Sequence, residues 1–169
     1  SKYQQENGIV SVDNRLDVES NRLNDLSAQL VMAQGQLMEA NSRQRMAAGG
    51  NGVESPDVAS NPLIQSLKMG LGNAEAKLAE LGQRLDKHHP QYQSAKAEAE
   101  KLRADLREQL RITSNSVGNA AQIQQQREAA VRAALAVQKA KVLELNRTRD
   151  EMGVLQKDVE SAQRAFDVT

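Results

Sequence analysis

The stretch that decides the fold is residues 62–106, PLIQSLKMGLGNAEAKLAELGQRLDKHHPQYQSAKAEAEKLRADL. Apolar residues recur there every seven positions, and a second row follows three positions behind the first. The first row is Ile64, Leu71, Leu78, Leu85, Tyr92, Ala99 and Leu106, and the second is Leu67, Ala74, Leu81, His88, Ala95 and Leu102. Alternating steps of three and four residues put both rows on one face of a helix, which is the heptad pattern of coiled coils.

The heptad pattern continues on both sides of this stretch. Upstream, the two rows are Ile9, Leu16, Leu23, Leu30 and Leu37, and Val12, Glu19, Leu26, Ala33, Ala40 and Ala47, with Glu19 as the one misfit. Downstream, the rows are Leu135 and Val142, then Leu145, Met152, Val159 and Phe166, with a shift to Leu155 and Ala162. Such a shift is a stutter that locally unwinds a supercoil. Acid-before-base pairs spaced by four predict solvated faces at Glu39–Arg43, Glu80–Arg84, Glu128–Arg132 and Glu160–Arg164.

The composition agrees with long helices and excludes several other classes. Of 169 residues, 76 are Ala, Glu, Lys, Leu or Arg, and aromatic residues make up only 2%. That proportion is typical of coiled coils and too poor in aromatic side chains for a sandwich or barrel. The 22 basic and 22 acidic residues give zero net charge, which argues against a nucleic-acid partner. The chain has no cysteine, which excludes a disulfide scaffold and a cysteine-based zinc site.

Turn-forming residues divide the pattern into segments. We expect the end of a preceding helix and a turn over 1–10, with Asn7-Gly8 as the stop signal, and helix one over 11–47. A flexible Gly/Pro/Ser linker is expected over 48–61, ending in Asn61 as a helix cap. A long helix two over 62–115, with a kink at 88–90, and a long helix three over 116–167 follow.

These segments predict an all-α fold, an elongated antiparallel three-helix coiled-coil bundle made of a long helical hairpin plus one shorter helix. The polar run from Thr113 to Gly118 would form the hairpin turn between helices two and three. The linker at 48–61 is long enough to return helix one onto the first half of helix two. The core would be a strip of Leu and Ala.

The sequence offers little for catalysis or cofactor binding. His88 and His89 are adjacent, so a helix cannot aim both at one metal ion, and no third histidine exists. Pro90 cannot donate a backbone N–H and disfavours helix at the residue before it. We therefore predict no catalytic, cofactor-binding or metal-binding residues, no cofactor and no enzymatic activity. The residues of interest are structural, namely His89, Pro90, Tyr92, Leu78, Leu81 and Leu85.

Several segments resemble one protein family. Asn7-Gly-Ile-Val-Ser-Val-Asp-Asn-Arg-Leu-Asp-Val-Glu19, Arg22 to Leu30 and Asn61-Pro-Leu-Ile-Gln-Ser-Leu67 are similar to the periplasmic coiled coil of chain-length determinant proteins. His89-Pro-Gln-Tyr92 after the helix that contains Ala76 to Leu81 fits as well, and residues 139–146 and 159–166 resemble the return helix. The resemblance is to the Wzz superfamily, in its GumC/EpsF-like exopolysaccharide type, and it covers nearly the whole chain.

The resemblance implies a polysaccharide co-polymerase at the periplasmic face of a bacterial inner membrane. Such a protein regulates polymer length and export without being an enzyme, and its membrane helices would lie outside this fragment. The implied partners are further copies of the full-length protein, the polysaccharide polymerase and export machinery, and nascent polysaccharide. Two alternatives remain open: a periplasmic adaptor hairpin of an efflux or secretion system, and a purely structural helical bundle.

The predicted fold has a direct solution test. We expect a circular dichroism spectrum dominated by helix and a scattering profile of a strongly elongated particle, because long coiled-coil helices bury only a narrow strip. A compact scattering profile would contradict the predicted long hairpin.

Overall fold

The computed structural model describes residues 2–49 and 54–168, with the backbone alone for Val168. It contains four helices, α1 (Lys2–Ala47), α2 (Pro56–Ala59), α3 (Pro62–Arg84) and α4 (Pro90–Val168). These helices account for 93% of the described residues, and no described residue lies in a strand. The predicted all-α fold is therefore confirmed, with long helices packed against one another.

The predicted turn at residues 113–118 is wrong, because α4 runs through it as one helix of 79 residues. The inward-facing positions continue without a break through Thr113, Val117 and Ala121, of which the last two are buried. Ser and Asn in a helix cost only a few tenths of a kcal/mol each relative to Ala, and Gly about 1 kcal/mol. Packing of this uninterrupted inner row outweighs those propensities. The sequence boundary between helices two and three therefore does not exist.

The chain reverses instead at Leu85–His89, where a kink within a continuing helix was expected. α3 and α4 run antiparallel, as shown by the 2.7 Å ion pair between Glu75 and Arg103. Leu102 lies beside Gly70 in the same pairing. Leu85 and Tyr92 are seven residues apart, so the heptad spacing is preserved across the turn. In the sequence, this spacing cannot be distinguished from that of a continuous helix, and the turn was therefore predicted as a kink.

The predicted stop at Asn7-Gly8 is also wrong, because α1 begins at Lys2 and passes through both residues. Gly8 faces α4, and a Cβ atom there would lie 2.7 Å from Cε of Met152. Glycine at this position permits a close approach of the two helices. Helix one was expected to return onto the first half of helix two, whereas the cross-helix polar contacts of Asp13 and Glu19 are with α4. Among them are ion pairs of Asp13 with Arg149 and of Glu19 with Lys141.

Within the predicted linker at 48–61, residues 56–59 form α2, and residues 50–53 lie outside the described part of the chain. Gly49 ends α1 with a φ of +84°, the only positive φ among the described residues. The Ser55 hydroxyl accepts a hydrogen bond from the Val58 N–H and caps α2. The expected cap at Asn61 is confirmed, since its Oδ1 accepts from the N–H groups of Leu63 at 3.0 Å and Ile64 at 3.2 Å.

The helices form two compact units. One unit comprises Ser1–Gly35 with Gln126–Thr169, and the other comprises Gln36–Gln125. In the first, α1 packs antiparallel to α4 around buried Val12, Ala33, Leu135 and Leu145. In the second, the buried apolar residues are Ile64, Ala74, Leu81, Ala95, Ala99, Val117 and Ala121. Both cores are narrow strips of small and medium side chains, as the heptads predict.

The ion pairs and the chain end refine this picture. All four predicted acid–base pairs form, with 3.2 Å between Glu39 and Arg43. Glu128, however, is only 8% exposed, so its pair with Arg132 does not lie on a solvated face as expected. Phe166, predicted in a core row, is 80% exposed, so the row does not lie in the core at this position.

Two glycine substitutions test the helix assignments in opposite directions. Gly72 lies inside α3 with open space around its Cβ position, so Gly72→Ala should raise the free energy of unfolding by about 0.5–1 kcal/mol. Gly49→Ala should lower it by about 1 kcal/mol, because alanine disfavours the left-handed conformation at that helix end. Urea denaturation measures both, and stabilisation by Gly49→Ala would contradict the described end of α1.

Candidate functional site

A cleft in the second unit has a lining that is about half polar. It has a volume of about 290 Å³ and lies between the end of α1, the short α2 and the middle of α4. Its lining residues are Gln36, Glu39, Ala40, Arg43, Asp57, Ser116, Val117, Ala120 and Gln124. Part of this lining comes from Ser116 and Val117, which were predicted to lie in a turn but are helical in α4.

Two lining residues carry hydrogen-bond acceptors without a partner. The Oδ2 atom of Asp57 and the Oε1 atom of Gln124 are both buried, and neither accepts a hydrogen bond from the described protein groups. A buried acceptor without a donor costs about 1–3 kcal/mol. Both oxygens are shielded from solvent, so a donor reaches them only if neighbouring side chains move. The other charged groups of the lining, Glu39 and Arg43, form an ion pair at 3.2 Å.

α2 carries Asp57 to the cleft and is held in place through Glu54. The Glu54 carboxylate accepts hydrogen bonds from Lys68 at 2.7 Å and from Gln65 at 2.8 Å. Gln65 also donates to the carbonyl of Val58 within α2. The hydrogen bond from Lys68, followed by that from Gln65, lowers the pKa of Glu54 below its ordinary value. The carboxylate form thus holds the segment before α3 against α3.

The predicted structural residues His89 and Pro90 build the hairpin turn. The His89 ring accepts a hydrogen bond at Nδ1 from the N–H of Gln91, and its carbonyl accepts from the N–H of Gln93. Pro90 is the first residue of α4, where no N–H partner is required. Asp86 shapes the other side of the turn by accepting from the N–H of His88 at 3.1 Å. The histidine pair is exposed and acts in the turn and at the helix start.

The remaining predicted residues pack just behind the turn. Tyr92 is half-buried, and its ring edge lies 3.3 Å from where a Cβ of Gly82 would be. Leu81 is buried, whereas Leu78 and Leu85 are half-buried. Leu85 closes α3 by donating its N–H to the carbonyl of Leu81. The structure thus brings all six predicted residues to the α3–α4 hairpin.

Sequence analysis missed a polar contact between α1 and α4. The Gln138 amide donates to the Glu19 carboxylate at 2.6 Å and to the Glu19 carbonyl at 2.8 Å. Lys141 adds an ion pair to the same carboxylate at 3.1 Å. The bond from Gln138, then that from Lys141, lowers the pKa of Glu19. The signal in the sequence was the polar misfit Glu19, and Gln138 completes the row of Leu145 and Met152.

Two further findings concern the described residues alone. They contain no group of three or more His, Asp or Glu side chains placed to share a metal ion. None of the described helices combines the length and the apolar character needed to cross a membrane.

Glu54 gives the site a predicted pH dependence. Because the pKa of Glu54 is lowered on folding, the stabilisation is present above the ordinary value of 4.5 and is lost as pH falls through the folded value. We expect the amides of residues 58–61 to become mobile in NMR relaxation below that range. At pH 7, Glu54→Gln should produce the same mobility. Glu39→Gln, which breaks only the exposed pair with Arg43, is the control, and equal mobility in both variants would contradict the assignment.

We compared the chain with known protein families, curated proteins and solved structures. No protein-family model, no curated protein and no solved structure matches the chain.

Proposed function

We propose that the chain is the periplasmic coiled-coil domain of an inner-membrane chain-length determinant in exopolysaccharide biosynthesis. In this role it is a scaffold that regulates polymer length and export and catalyses no reaction. Its proposed partners are further copies of the full-length protein and the polysaccharide polymerase and export machinery, with nascent polysaccharide as a ligand. The membrane anchors belong to parts of the protein outside this fragment.

The observation that carries the proposal is the placement of the residues behind the family resemblance. His89-Pro-Gln-Tyr92 forms the turn and first residues of α4, where the chain reverses between two antiparallel helices. Asp17-Val-Glu19 ends at the residue that binds Gln138 across the α1–α4 pair. Motifs that organise helix reversal and helix pairing are suited to a helical scaffold. The resemblance therefore rests on residues with structural roles in this chain.

An adaptor hairpin of an efflux or secretion system is the second candidate. The antiparallel pairing of α3 and α4, joined by the short turn at Leu85–His89, favours it, because such adaptors also use long antiparallel helices. In those proteins the hairpin lies between two β-rich lipoyl-type halves. The coding sequence on either side of this chain separates the two candidates.

Polymer size is the direct test of the leading proposal. In the bacterium that encodes the chain, deletion of residues 12–167 should shift or abolish the size distribution of the secreted polysaccharide. The expected reason is loss of the helical scaffold that positions copies of the protein around the polymerase. Gel analysis of the secreted polymer measures the change.

The control for this deletion is the amount of truncated protein in the membrane fraction, measured with an epitope tag outside the deleted residues. An unchanged polymer distribution with normal protein abundance would reject chain-length control. The adaptor and the purely structural bundle would then be the remaining candidates.

A further inference from the structure

The apolar rows of α1 allow more than one alignment with α4. Leucine recurs every seven residues at positions 16, 23, 30 and 37. A slip of seven residues, about 10 Å along the helix, replaces one leucine by the next and leaves the apolar strip covered. The leucine row of α1 alone therefore does not select one register.

One layer of the α1–α4 pair is not repeated. Glu19 is the only polar residue in the row of Val12, Leu26 and Ala33, and it lies opposite Gln138. Gln138 is 4% exposed and satisfies its amide with two acceptors of the same residue, the carboxylate and the carbonyl of Glu19. Lys141 supplies the compensating charge. The layer is fully paired only in the observed alignment.

A slip by one heptad would break this layer in both helices. Glu19 would then lie level with Leu145 or Val131, and Gln138 with Leu26 or Val12. A carboxylate and an amide would face apolar side chains without partners, which is costly in a packed interface. Polar residues at core positions of coiled coils specify alignment in this way, at some cost in stability.

The other cross-helix contacts in this unit are weaker discriminators. The ion pair of Asp13 with Arg149 is nearly half exposed on both sides, and exposed pairs contribute little. Gly8 admits the end of Met152, but that side chain is flexible and can move aside. The Glu19–Gln138 contact differs from both, because it pairs a buried amide with two acceptors across the helices.

We propose that the Glu19–Gln138 layer, with Lys141, is the register determinant of the α1–α4 pair. It selects one of several alignments that the leucine repeat would otherwise accept. This inference does not depend on the proposed function, because it concerns which residues of the chain face each other.

Disulfide trapping tests the register, since the chain has no cysteine of its own. Asp13→Cys with Arg149→Cys reports the observed alignment. Ser20→Cys or Glu6→Cys, each with Arg149→Cys, reports a slip of one heptad in either direction. All three reporters remove Arg149, so the surface ion pair contributes to none of them and the buried layer is tested alone.

The reporters are compared in four backgrounds under mild oxidation. The unchanged layer should cross-link through the 13/149 pair, whereas Glu19→Leu with Gln138→Leu should raise the slipped cross-links at least about tenfold. Helicity should be retained, since the new layer is apolar. Glu19→Gln alone keeps two acceptors for the Gln138 amide, the side-chain oxygen and the backbone carbonyl of residue 19, and should keep the 13/149 pair. Glu39→Leu, an exposed substitution, should cause no slip.

Two results would overturn the proposal. If the double leucine variant cross-links only through the 13/149 pair, the apolar strip or another contact selects the alignment. If that variant loses its helical circular dichroism signal, the layer is needed for folding itself, and a role confined to register is wrong.

Discussion

The inward strip of α4 is the constraint on which the rest of the structure depends. In one unit the first part of α1, up to Gly35, runs antiparallel to α4, and in the other unit α3 does so. The strip is narrow, so each layer buries one or two Leu, Val or Ala side chains. Helices of 46 and 79 residues are stable here because many such layers add along their length.

Because the apolar strip is narrow, polar contacts contribute much to how the helices are positioned. Several polar side chains that enter the interface are paired across it or within one helix, as with Gln138 and Glu19 or Arg132 and Glu128. Hydrogen bonds of Glu54 hold the segment around α2 against α3. At the turn, His89 serves as a helix cap. These polar residues therefore act mainly in holding helices and turns in position, which agrees with the proposed scaffold role.

The cleft of the second unit is the exception. It arises where the end of α1, α2 and the polar middle of α4 meet, and it contains buried oxygens of Asp57 and Gln124 without partners. No heptad argument finds such a site, because it depends on three segments that are far apart in the sequence.

Local and periodic features were determined by the sequence by itself. The heptad rows, the Asn61 cap, the four i,i+4 ion pairs and the break before Pro90 all depend on residues within a few turns of one another.

The direction of the chain at each break was decided only by the tertiary structure. Leu85 and Tyr92 keep the heptad spacing whether the helix continues or reverses, so spacing cannot distinguish a kink from a turn. Residues 113–118 have turn composition but remain helical, because Val117 and Ala121 are buried on the inner face. Long-range packing therefore outweighed local propensity at these residues. The pairing of Glu19 with Gln138 also depends on tertiary structure, because the two residues are far apart in the sequence.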